Sequence, residues 1–135
     1  MEGYNCSQSV FAANAEKLGM DFETALKVSE PLGGGVGRLR EVCGALTSCA
    51  MLLGLKYADA YADPEKKKEI YERVQNLAAE FKKANGSIIC RELLNLQEGA
   101  PTPPAPAART AHYYKTRPCA KIVETADKLV KKHLA

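Results

Sequence analysis

Five cysteines occur in this chain of 135 residues, and four of them share one kind of position. Cys6, Cys43, Cys90 and Cys119 each head an apolar stripe at helical spacing. Val10 and Ala13 follow the first, Leu46 and Ala50 the second, Leu93 and Leu94 the third, Ile122 and Val123 the fourth. The spacing turns each sulfur inward near a helix N-terminus, where backbone N–H groups and the positive end of the helix dipole favour a thiolate. A thiolate is what nucleophilic redox chemistry and metal ligation both require. One inward cysteine reads as a small core filler; four at equivalent helix starts read as a site. Their intervals contain no CxxC pair and match no zinc-finger or ferredoxin pattern. In a helical bundle, however, ligands are collected from separate helices, so linear spacing does not decide. Cys49 lies six residues after Cys43, about 240° round a helix, and reads as core packing.

The elements that must position these sulfurs are helical almost throughout. The apolar periodicity predicts a first helix over 5–18 stopped by Gly19, and a second over 22–29 capped by Asp21 and ended before Pro31. PLGGGVGR then forms a glycine loop, followed by a third helix over 39–53. That helix is apolar nearly all round (Val42, Ala45, Leu46, Ala50, Met51, Leu52, Leu53) and reads as the buried centre. Asp63-Pro64-Glu65 starts a fourth helix that runs to about 84, with an inward stripe of Ile70, Val74, Leu77, Ala78 and Phe81, and Asn85-Gly86 stops it. A short helix or turn spans 87–95. The segment at about 97–108, with four prolines, is a surface loop. A last helix runs from about 118 to the end. No run alternates as a strand, and there is no internal repeat.

Composition narrows the classes. The chain is long enough to bury a hydrophobic core without disulfides, which removes the usual structural reason for several cysteines. A net charge of +3, with 26% charged residues, falls short of a nucleic-acid footprint, and the lysines at 66–68 read as a solvated face. The longest apolar stretch, 42–55, is shorter than the roughly 20 residues a membrane span takes and is interrupted by Gly44, Thr47 and Ser48. No signal peptide is visible. The expectation is a cytoplasmic protein bound neither to membrane nor to nucleic acid, in a compartment where cysteines serve as ligands or redox thiols.

The glycine loop could cradle an anion, but it lacks the GKS/T ending of a P-loop and no strand precedes it. The favoured reading is that Gly33, Gly34, Gly35 and Gly37 let the backbone turn or pass close to Cys43 and a cofactor, with Gly44 giving Cys43 room. His112 and His133 read as surface residues, His112 being the better outside ligand candidate. Arg91 and Arg117 could stabilise the neighbouring thiolates. Glu41 and Glu92 are available as acids or bases, without being singled out.

The stretches NCSQSV, GGGVG followed by VCGALTS, GSIICRELL and RPCAKIV resemble the C_GCAxxG_C_C family, whose members are described as redox-active. The resemblance spans roughly 4–129 apart from the Pro-rich insert. It maps the four family cysteines onto Cys6, Cys43, Cys90 and Cys119 and leaves Cys49 outside the pattern. Ser48 replaces the glycine that closes the family's CGAxxG. The resemblance implies redox activity and an oxidoreductase or electron-transfer partner; related domains fused to haem-binding sequence are thought to hold an iron–sulfur centre. This chain has no CxxCH, which excludes covalent c-type haem.

The expectation is an all-α, single-domain bundle of five or six helices in which Cys6, Cys43, Cys90 and Cys119 converge. The leading reading is an electron-transfer protein whose four sulfurs bind an iron–sulfur cluster. The second is a thiol–disulfide protein using the same cysteines in pairs, without a cofactor. The third is a structural Cys₄ zinc site or a helical interaction module. A homodimer is compatible with all three, and whether the protein is an enzyme stays open.

Overall fold

The computed structural model describes residues 4–96, 104 and 119–135. Among these, the architecture is an all-α bundle of six helices, as the periodicity predicts. The first helix, α1 (Cys6–Ala15), begins with a capping box. The Asn5 side chain accepts from the Gln8 N–H at 2.9 Å, and the Gln8 side chain accepts from the Asn5 N–H at 3.1 Å. A 3₁₀ turn (Glu16–Leu18) carries the chain to Gly19, whose φ of +96° ends it. The expected single helix over 5–18 is therefore an α-helix with a tightened last turn. The second helix, α2 (Phe22–Ser29), is capped by Asp21, whose carboxylate accepts from the Thr24 N–H. The Thr24 side chain, and then this backbone bond, hold the carboxyl of Asp21 below its ordinary range.

The third helix, α3 (Gly44–Tyr57), starts later than the expected residue 39. Val36, Arg38 and Arg40 all have left-handed φ, near +65°, which is incompatible with a right-handed helix there. Residues 40–43 instead pair with 88–91. Cys43 N–H donates to the Ile88 carbonyl, Cys90 N–H to the Glu41 carbonyl and Arg91 N–H to the Arg40 carbonyl, around a Val42–Ile89 bridge. Cys43 is consequently the N-cap of α3 and not part of its first turns.

The fourth helix, α4 (Pro64–Asn85), matches its sequence signals: an Asp63 cap on the Glu65 N–H, Pro64 at the first position, and Gly86 at φ +95° closing it. A single turn, α5 (Cys90–Leu93), follows, and α6 (Cys119–Leu134) buries Ile122, Ala126 and Val130. The central α3 packs against α1, α4 and α6. Val10, Phe11, Leu52, Leu53, Leu77, Phe81 and Val130 fill the space between them, each at most 1% exposed. Cys49 belongs to this core. It is fully buried, its sulfur donates to the Ala126 carbonyl at 3.6 Å, and burial, then the charge of Asp127, pushes its thiol up to about 12. The C-terminal end of α6 is tied down by polar contacts. Tyr57 donates to the His133 carbonyl at 3.1 Å, and Glu80 holds both the His133 ring at 2.7 Å and the Lys132 ammonium at 2.9 Å.

Leu52 is fully buried on α3 in the core that α3 shares with α1, α4 and α6, and truncating it leaves a cavity. Leu52→Ala is expected to lower unfolding stability by about 2–5 kcal/mol, measured by urea denaturation.

Candidate functional site

The site begins with an unusual loop. Gly34, Gly35, Val36, Gly37 and Arg38 adopt left-handed φ values between 56° and 73° in succession, and Arg40 repeats the conformation at 64°. Left-handed backbone costs an L-residue roughly 1–2 kcal/mol, and for a β-branched residue such as Val36 it is a genuine outlier. Strain of this kind persists where the surroundings over-determine it. Here the surroundings are hydrogen bonds across the loop: Arg38 N–H to the Gly33 carbonyl, Arg40 N–H to Gly34, and Glu41 N–H to Gly35, at 3.2, 3.0 and 2.9 Å. Gly35 is needed for space as well, because a Cβ there would lie 2.7 Å from the Cβ of Cys90 and 2.6 Å from the Glu41 nitrogen. Gly37 has open space around it and is required only for its backbone.

Two of the four expected cysteines meet directly. Cys6, the first residue of α1, lies against Cys43, the N-cap of α3. The contact is close because Gly44 follows Cys43: a Cβ on Gly44 would sit 2.7 Å from the Leu32 carbonyl and 3.0 Å from the Cys6 sulfur. The Cys6 thiol is lowered to about 6. The largest cause is the hydrogen bond from the Cys43 thiol; backbone N–H groups of Gly34, Ser7 and Gly44 add to it, and burial opposes it. Cys43 moves the other way, far above the ordinary thiol range, because its proton is held by Cys6 and burial disfavours its charge. The pair is thus one thiolate and one thiol sharing a proton. Cys6 keeps partial solvent access, whereas Cys43 is 5% exposed.

Cys90 also approaches this loop. It lies on the short ribbon that also carries Cys43, packs on Gly35, and receives the Arg40 guanidinium, Nη1 to Sγ, at 3.7 Å. Arg91 donates to the Leu39 carbonyl; the guanidinium on the Cys90 sulfur comes from Arg40, which the sequence reading passed over. Nothing in the local sequence distinguishes Arg40 from Arg38, since its inward direction follows from the left-handed backbone and the ribbon pairing. Cys119 opens α6, half-buried. Glu41 exposes its side chain, and Glu92 accepts from the Ser87 hydroxyl at 2.9 Å to brace the turn before α5. His133 is half-buried against Glu80. His112, Arg117 and, apart from Pro104, the Pro-rich segment lie outside the described residues.

Ser48 is fully buried. Its hydroxyl donates to the Ser7 carbonyl at 2.8 Å and lies 3.0 Å from the Ser7 hydroxyl. The residue that departs from the family glycine therefore links α3 to the turn of α1 that carries Cys6.

Among the described residues, no group of three or more His, Cys, Asp or Glu side chains is placed to hold a metal ion, and all five cysteines stand as thiols outside disulfides. The donor atoms are of the kind an iron–sulfur cluster takes, but no three of these sulfurs are grouped among the described residues, whereas a cluster takes four. No helix among the described residues is long and apolar enough to cross a membrane.

Two outcomes follow from the sulfur pair. The alkylation rate of Cys6 with iodoacetamide is expected to rise through a midpoint near pH 6, about its lowered value, and Gly44→Ala is expected to move that midpoint upward by displacing the sulfur from its N–H donors. Stability should also depend on pH. A depressed thiol favours the folded state when ionised, so its contribution grows as pH rises above about 6 towards the ordinary thiol range and vanishes below about 6. Urea denaturation between pH 6 and 8 is expected to show this slope in the native chain and a flatter one in Cys6→Ser.

The family model described as "Putative redox-active protein (C_GCAxxG_C_C)" matches residues 4–133. No curated protein and no solved structure matches the chain. The matched span takes in the thiolate–thiol pair, the glycine loop, the ribbon and all four motif cysteines, and on that match the chain belongs to the C_GCAxxG_C_C family.

Proposed function

We propose that the protein is a thiol–disulfide redox protein in which Cys6 is the attacking thiolate and Cys43 the resolving thiol. The observation that carries this reading is the asymmetry of the pair. Cys6, with the lowered thiol value, is the partly exposed residue of the two, and Cys43, which keeps its proton, is 5% exposed. Attack on a disulfide needs an accessible thiolate, and resolution needs a second thiol within reach of the mixed disulfide.

The Cys6 thiolate attacks one sulfur of a partner disulfide. A Cys6–partner bond forms as the partner's S–S bond breaks, and the leaving thiolate departs with the electron pair. Cys43 then gives up its proton and attacks the Cys6 sulfur, closing a Cys6–Cys43 disulfide and releasing the partner's second thiolate. The partner gains two electrons and the pair loses two; run backwards, the same steps oxidise a partner dithiol. Backbone N–H groups of Gly34, Ser7 and Gly44 hold the Cys6 sulfur through these steps. The fitting partner is an oxidoreductase or electron-transfer protein with an accessible disulfide, in a cytoplasmic setting that keeps the pair reduced at rest.

The ligand reading, with Cys6, Cys43, Cys90 and Cys119 holding an iron–sulfur cluster or zinc, draws on one observation: Cys6 and Cys90 both border the Gly34–Gly35 turn, and Cys43 contacts Cys6. One preparation separates the two. Protein purified anaerobically is expected to be colourless and metal-free, and to lose two thiols reversibly in an oxidised glutathione buffer, with mass spectrometry locating the bridge at Cys6 and Cys43. Cys43→Ser is expected to trap the mixed disulfide on Cys6. A brown protein with visible absorption, or one zinc per chain, would overturn the dithiol reading in favour of the ligand reading.

A further inference from the structure

We propose that Ser48 is a positioning residue for the Cys6–Cys43 pair: its hydroxyl holds α1 on α3 in the register that lets the two sulfurs close a disulfide, and so sets how readily that disulfide is reduced. The proposal rests on the dithiol reading and adds to it a residue outside the pair.

Ser48 and Ser7 are both fully buried. A buried hydroxyl without a partner is costly, and these two satisfy each other. A serine hydroxyl has one proton to give. That of Ser48 goes to the Ser7 carbonyl, 2.8 Å from Oγ, so in the 3.0 Å contact between the two hydroxyls Ser7 donates and Ser48 accepts. The two bonds cross from α3 to α1 beside the sulfurs. Ser48 stands four residues after Gly44, on the same face of α3, and Ser7 directly follows Cys6.

The sulfur end is held by the same segments. The N–H groups of Ser7 and Gly44 both donate to the Cys6 sulfur. A closed frame results: Cys6 sulfur to Gly44, one helical turn to Ser48, the Ser48 hydroxyl to Ser7, and Ser7 back to the sulfur. On the Gly44 side the approach is tight, since a Cβ there would meet the Leu32 carbonyl at 2.7 Å and the Ser7 Cβ at 3.0 Å. A glycine surface is smooth, however, and has no side chain to stop one helix sliding on the other. The bonds of Ser48 are directional and supply that stop.

Closure of the pair needs an external disulfide, and oxidised glutathione represents the class. An S–S bond forms between Cys6 and Cys43 as the glutathione S–S bond breaks, and two electrons and two protons pass from the pair to the two glutathione thiols. A disulfide confines both Cβ atoms to a narrow range of separation and angle. With Ser48 in place, the dithiol form already holds the helix starts near that range, and closure gives up little freedom. Without the hydroxyl, the dithiol form gains arrangements in which the sulfurs do not meet. Closure must then remove them, and the disulfide becomes easier to reduce.

The test measures the Cys6–Cys43 equilibrium of the full, folded chain in a series of glutathione redox buffers at one pH, with thiols counted by mass spectrometry after acid quenching and alkylation. Ser48→Ala is expected to lower the equilibrium constant for the bridge about fivefold, the equivalent of one net hydrogen bond. Ser48→Gly is expected to lower it at least as far, since glycine also loosens the helix. Ser7→Ala keeps the carbonyl that Ser48 holds and is expected to lower it less than Ser48→Ala does. Leu77→Ala, which opens the core on α4, is expected to leave it within about twofold, less than one hydrogen bond supplies. A merely structural Ser48 would lower the thermal stability of the dithiol and disulfide forms alike and leave the equilibrium where it was. An unchanged constant in both Ser48 variants, a bridge made harder to reduce, or an equal shift in Leu77→Ala would each overturn the proposal. Absence of any Cys6–Cys43 bridge in the native chain would sink the dithiol reading and the Ser48 assignment together; a bridge with the same constant in Ser48→Ala would sink the Ser48 assignment alone.

Discussion

At Gly44 there is no room for a side chain. The Leu32 carbonyl, the Cys6 sulfur and the Ser7 Cβ stand 2.7, 3.0 and 3.0 Å from where a Cβ would be, so the first turn of α1 meets the first turn of α3 almost backbone to backbone. The sulfur pair depends on that approach. It lets the Gly44 N–H reach Cys6, puts Cys43 within hydrogen-bonding reach of the same sulfur, and presses the glycine loop against both. Two side-chain links hold the approach in place. Ser48 bonds Ser7 from the α3 side, and the Asn5 amide donates to the Glu30 carbonyl, tying the α1 cap to the turn that leads into the loop. A net hydrogen bond contributes about 1 kcal/mol, so these links act less through stability than by fixing the register of two helices at the point where their cysteines touch.

Electrostatics then separates sulfurs that are chemically identical. Cys6 lies among backbone N–H donors in a partly exposed residue; Cys43 caps the buried central helix and holds the shared proton; Cys49, further along α3, is pushed up by burial and by the charge of Asp127, which its own backbone N–H offsets only in part. The ordering follows first from which sulfur of the pair holds the shared proton, and then from the balance of burial against backbone N–H donors at each. Cys90 has a different neighbour again, a guanidinium with no carboxylate partner among the described residues.

Much of the fold was legible because its signals are local. Asp63-Pro64 and Asn85-Gly86 bound α4, Asp21 caps α2, and the all-apolar surface of α3 marks it as the centre. The start of α3 was not legible, because residues 39–43 carry an apolar and polar pattern that a helix would accept. The left-handed loop and the pairing with 88–91 override it, and that pairing partner is more than forty residues away in sequence. The capping box at Asn5 and Gln8 was equally available in the sequence, and it sets where Cys6 falls on α1.

The sequence by itself determined the helical class, the positions of Cys6, Cys43, Cys90 and Cys119 at helix starts, and the separation of Cys49 from Cys43, because helical periodicity, caps and the angle per residue are properties of neighbouring positions. Tertiary structure alone decided that Cys6 meets Cys43, which of the two carries the charge, that Ser48 bonds Ser7, and that the Arg40 guanidinium reaches Cys90. Each of those outcomes depends on the distance between segments far apart in the chain and on how much water is left between them, and neither quantity is written in local spacing.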